Sequence, residues 1–122
     1  MPSSFTELIV DAADPEGLSE FWCAVLDWQR TERYGGEAIE IAPPPGGLPT
    51  IVFVRSDELK HGKNRLHIDL NPRGCDQGTE VERLIGLGAQ RVDIGQGQQA
   101  WIVLADPEGN EFCVLEERLD LP

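Results

Sequence analysis

The chain has 122 residues, a length that fits one domain with a core large enough to hold without staples. Twenty-two acidic side chains against ten basic ones give a formal charge of −12, which repels phosphate backbones and sets nucleic acid aside as a partner. The three cysteines, Cys23, Cys75 and Cys113, are scattered without C-x-x-C spacing, which argues against a zinc knuckle or a secreted disulfide framework and for reduced thiols in the cytoplasm. Met1-Pro2-Ser3-Ser4 has neither the basic start nor the apolar stretch of a signal peptide, and no apolar run approaches the ~18 residues of a membrane span. A soluble, cytoplasmic protein is expected.

Phe5 to Val10 reads as a strand, and Asp14-Pro15 then opens a helix with an acidic cap and proline at its first position. Leu18, Phe21, Trp22, Val25 and Leu26 repeat at helical spacing and give that helix one apolar face. Trp28 to Tyr34 and Glu37 to Ala42 form two strands across Gly35-Gly36, a pair that accepts the positive φ of a tight turn. Pro43-Pro44-Pro45-Gly46-Gly47 cannot continue a ladder and is a loop; Leu48 to Arg55 is the next strand, and Ser56 to Lys63 a charged link. The second half follows the same order: a strand at Arg65 to Leu70, a helix from Asp76 to Leu87, and strands at Gln90 to Ile94, Ala100 to Ala105 and Glu111 to Glu116. Asp106-Pro107-Glu108-Gly109-Asn110 supplies the turn before the last of them.

The halves also repeat in detail. Leu26-Asp27-Trp28-Gln29-Arg30-Thr31 returns as Leu87-Gly88-Ala89-Gln90-Arg91-Val92, each time a helix end, a short turn and a Gln-Arg pair opening a strand. Two βαβββ units are the expected architecture.

Together with Asp14-Pro15, Phe21-Trp22 and Leu26-Asp27-Trp28, the middle segment Asn64-Arg65-Leu66-His67-Ile68-Asp69-Leu70 and the late Leu87-Gly88-Ala89 and Asp106-Pro107-Glu108-Gly109-Asn110-Glu111-Phe112 resemble the glyoxalase/bleomycin-resistance/dioxygenase family of the vicinal oxygen chelate superfamily, over nearly the whole chain. The resemblance implies an α+β fold, a single glyoxalase-like domain over residues 1–122, with module 1 near residues 5–56 and module 2 near residues 64–118, and curved sheets enclosing a cleft. Such a family spans lyases, isomerases, epimerases, dioxygenases, thiol transferases that inactivate fosfomycin, and proteins that only sequester drugs, so the fold names no reaction.

By the same resemblance the first metal ligand falls on Glu7 and the second on His67. Cys113 stands where the family often has glutamate, and Val52-Phe53-Val54 offers no ligand in the fourth strand. Glu7 and His67 suit zinc, manganese, iron or nickel, whereas Cys113 would join them only as a thiolate and favour softer ions; otherwise it is an inert buried thiol. His67 and Asp69 share one strand face, and His67 or Glu7 could act as acid or base; His61, beside Lys60, reads as solvated. Glu7 shares parity with Phe5 and Ile9, and if buried it needs a partner or a metal. Trp22, Phe53 and Trp101 are candidates to line a pocket for a flat or cationic ligand, with core packing the plainer role for Trp22.

Two functions from different classes follow. One is a divalent-metal-dependent enzyme of lyase, isomerase or dioxygenase type acting on a small oxygen-bearing substrate; the alternative is a metal-free drug-binding or antibiotic-sequestering protein, with metal-free acid–base catalysis between them. A homodimer is expected, because open sheets of this size leave edge strands to cover.

Overall fold

The computed structural model describes residues 1–95, 97 and 99–116; the predicted end of module 2 at residue 118 lies outside them. Two compact units divide between Leu59 and Lys60. Each is a βαβββ module with its own mixed four-stranded sheet, so the α+β class stands.

In the first unit, β1 (Glu7–Ala12) runs parallel to β4 (Thr50–Arg55), and β3 (Ala38–Ala42) and β2 (Gln29–Tyr34) complete the order β1-β4-β3-β2. Helix α1 (Pro15–Leu26) packs across this sheet. The Asp14 carboxylate caps it by accepting from the Gly17 N–H, and Asp27 ends it in the left-handed region at φ 57°. Its apolar face is the one the periodicity marks: Leu18, Phe21, Trp22 and Val25 are buried against Ile39, Ile41, Ile51 and Phe53, and Phe21 meets Trp22 edge-on. Arg33 and Arg30 reach from β2 back to Glu16 on the helix.

The second unit repeats the plan with β5 (Ile68–Leu70), α2 (Gln77–Leu87), β6 (Gln90–Arg91), β7 (Ile102–Ala105) and β8 (Glu111–Val114), in the sheet order β5-β8-β7-β6. Asp76 caps α2 through the Thr79 N–H, and Gly88, at φ 124°, ends it in a conformation that side chains resist. Val81 and Leu84 pack from the helix into the same core as Leu104, Phe112 and Val114. The Asp106 carboxylate accepts from the Glu108 and Asn110 N–H groups and so shapes the turn into β8.

Every strand after β1 is shorter than predicted, β2, β3, β4 and β8 by one or two residues at an end, and β5, β6 and β7 for identifiable local reasons. The expected run from Gln90 to Ile94 stops at Arg91 because the Asp93 carboxylate takes the Gly95 N–H and turns the chain. β7 begins at Ile102 rather than Ala100, where the Ala100 carbonyl instead accepts from the Gln77 side chain. β5 begins at Ile68 rather than Arg65, leaving His67 just before the strand, where its ring binds the Asn64 carbonyl. β1 is displaced toward Ala12 relative to the predicted Phe5 to Val10, without change of parity.

Candidate functional site

Alternation along β5 and β8 decides what faces what in the second unit. Ile68, Phe112 and Val114 turn toward α2, so Asp69 and its register partner Cys113 turn the other way. There they line an open cavity of about 440 Å³ together with His67, Lys63, Trp101, Ile94, Gly95 and Leu115. His67 and Cys113, both singled out in the sequence, thus meet in one place. Trp101 joins them, the residue 39 % exposed.

Burial pushes the Cys113 thiol up from its ordinary pKa, and the Asp69 carboxylate pushes it further, by its charge and by accepting the thiol's hydrogen bond; Lys63 opposes both weakly. Cys113 is therefore a neutral thiol at physiological pH. Replacing Asp69 by asparagine should raise the rate at which iodoacetamide modifies Cys113 several-fold, read by mass spectrometry of its peptide, while Cys23 and Cys75 keep their rates; an unchanged Cys113 rate would leave burial as the whole cause.

The imidazole Nε2 of His67 lies 3.0 Å from the Asn64 carbonyl oxygen. A carbonyl only accepts, so Nε2 carries the proton. These donors do not assemble a divalent site: among the described residues no three His, Cys, Asp or Glu side chains form a group able to bind a metal.

The other sequence candidates lie in the first unit. Glu7 is exposed on the sheet face away from α1, with Ile9 also half exposed and Phe5 more so, and thus without the burial that would have required a partner. Its neighbours there are acidic. Partial desolvation raises the Tyr34 hydroxyl above its ordinary pKa, and the charges of Glu40, Glu32 and Glu7 raise it further. Phe53, 1 % exposed, and Trp22, 3 % exposed, are packed in the core of that unit.

Three residues are not legible from the sequence as parts of a site: Lys63 reads as the end of the charged link, Asp69 only as sharing a strand face with His67, and Glu111 only as part of the Asp106-to-Phe112 motif. The buried Glu111 carboxylate binds Lys60 Nζ at 2.6 Å and accepts from the Asn64 N–H at 2.6 Å. A charged residue opening a strand of otherwise apolar residues was the available signal.

Comparison with known proteins matches residues 7–115 to the family model described as a glyoxalase-like domain. No curated protein sequence matches. Among solved structures, the chain is similar to a glyoxalase/bleomycin resistance protein/dioxygenase family enzyme from Burkholderia phytofirmans PsJN, with 20 % identity, TM-score 0.70, and 92 % of this chain and 97 % of that one covered. It is also similar to the fosfomycin resistance protein FosX from Listeria monocytogenes (15 %, TM-score 0.73, 98 % and 95 % covered). A glyoxalase-related enzyme from Fulvimarina pelagi gives 15 % identity and TM-score 0.65, with 93 % and 87 % covered.

Proposed function

Because the chain belongs to the glyoxalase-like domain family, we propose that it binds a small basic molecule with a flat apolar part in the cavity of its second unit, without a divalent ion. The observation that carries this reading is the pairing, in one cavity, of the partly exposed Trp101 ring with the Asp69 carboxylate. An aromatic face and a nearby anion together favour a cation, and the formal charge of −12 steers one toward the protein. Ile94 and Leu115 offer apolar area for the remainder of the ligand. Lys63 adds a donor for a ligand oxygen, which is the element this reading shares with an oxygen-bearing substrate.

Drug sequestration is the form of the proposal that needs least chemistry. Acid–base turnover at His67 would need the same bound ligand and no further group. Assembly into a homodimer belongs to the proposal as well, since it would cover Phe5 and Ile9 beside the edge strand β1.

Titration with proflavine, a flat aromatic cation carrying amino groups, tests the reading through tryptophan emission. Quenching should survive EDTA and weaken as salt is raised. Trp101→Ala and Asp69→Asn should each weaken binding about tenfold, an effect of the size of one desolvated cation–π or charge contact. Binding abolished by EDTA, or indifferent to both substitutions, would sink the proposal.

A further inference from the structure

Glu111 opens β8, two residues before Cys113 and on the same strand face, and its side chain is 7 % exposed. A carboxylate so placed is tolerated only with partners, and among the described residues one short segment, Lys60 to Asn64, supplies its ion pair and its side-chain hydrogen bond. Lys60 Nζ lies 2.6 Å from one oxygen, the Asn64 N–H donates to the other at 2.6 Å, and the Asn64 amide reaches the Glu111 carbonyl at 3.5 Å. Lys60 also donates to the Gly62 carbonyl, which closes the segment on itself. The stretch from Lys60 to Asn64 is thereby pinned at both ends to the strand that carries Cys113. It includes Lys63, and it hands its last carbonyl to the His67 ring.

The geometry points to Glu111 as the positioning residue of this cavity. By holding Asn64 it fixes the His67 imidazole with its proton on Nε2, so that a neutral ring keeps its lone pair on Nδ1 and meets a ligand as an acceptor. With Asp69 beside it, the cavity then offers two acceptors and one cation, and selects ligands whose polar group donates: an ammonium, an amidine or an amino substituent. This deepens the binding reading above and rests on it for the ligand; the state of the ring does not depend on any ligand and is measured in the free protein.

The full chain, labelled with 15N, supplies the test, because its other histidine, His61, is exposed in the link and serves as an internal reference. Long-range proton–nitrogen spectra at a pH where both rings are neutral should give the His67 ring a fixed Nε2–H pattern. Its Nε2 proton should exchange with water about tenfold more slowly than that of His61, as one retained hydrogen bond requires. Glu111→Leu should bring that exchange to the His61 rate, whereas Glu111→Gln, which keeps an oxygen for the Asn64 N–H, should retain the protection. An Nδ1–H pattern in the wild type, or protection undiminished in a folded Glu111→Leu protein, overturns the proposal. Should Glu111→Leu not fold, the wild type decides alone: a His67 Nε2 proton exchanging as fast as that of His61 overturns it. Failure of proflavine to bind, with the ring protected as expected, would count against the ligand and not against the positioning.

Discussion

Phe112→Ala should destabilise the second unit by about 4 kcal/mol, the usual cost of emptying a buried aromatic site. Phe112 is 1 % exposed, and its register partners Ile68 and Leu104 lie on the same face, against α2. Nothing on that face can collapse far enough to fill the space, since Val81, Leu84 and Val114 are themselves fully buried. The neighbouring substitution Cys113→Ala should cost less than about 1.5 kcal/mol, because it removes one small group from the wall of an open cavity rather than a ring from the core. Hydrogen exchange of the β7 and β8 amides measures both in the unit concerned, without assuming that the two units unfold together. Equal losses at the two positions would contradict the strand parity on which the cavity is built.

Lys60→Met should cost about 2 kcal/mol at neutral pH, below the usual range for a broken buried pair, because the lysine side chain is 24 % exposed and Glu111 keeps the Asn64 N–H. The loss should depend on pH in one direction. Burial pushes the Glu111 carboxyl up, but the Lys60 ammonium and the Asn64 N–H together outweigh it, so that its pKa lies below the ordinary carboxylate value. A carboxyl whose pKa is depressed by folding contributes its full stabilisation above its unfolded pKa and loses it as the pH falls through the folded one. The difference between wild type and Lys60→Met should accordingly be full at neutral pH and shrink in acid, below the ordinary carboxylate value. Urea unfolding across that range is the measurement, and a gap that persists when Glu111 is protonated would make the contact one of packing alone.

Much of the local structure was legible because it rests on short-range chemistry. Asp14-Pro15 and Asp76 cap their helices as read, and Leu18, Phe21, Trp22 and Val25 are buried as their spacing requires. The repeated Gln-Arg pairs open β2 and β6. Strand ends were less legible, since they depend on side chains that compete for backbone groups: Asp93 for the Gly95 N–H, and His67 for the Asn64 carbonyl. The aromatic candidates divide for a similar reason. Periodicity assigns Phe53 and Trp101 to strands, but only the packing of a helix over one face and not the other makes Phe53 core and leaves Trp101 at a cavity.

By itself the sequence determined two βαβββ units, the buried faces of their helices, and the solitary histidine in the second unit's first strand region, because alternation, helical period and capping act between neighbours in the chain. Only the tertiary structure decided that burial and Asp69 push the Cys113 thiol above its ordinary pKa, that Glu7 stands exposed among other carboxylates, and that Glu111 reaches 47 residues back to Asn64. Protonation and pairing depend on groups brought together from distant parts of the chain and on how much water they lose in meeting, and no local pattern carries that information.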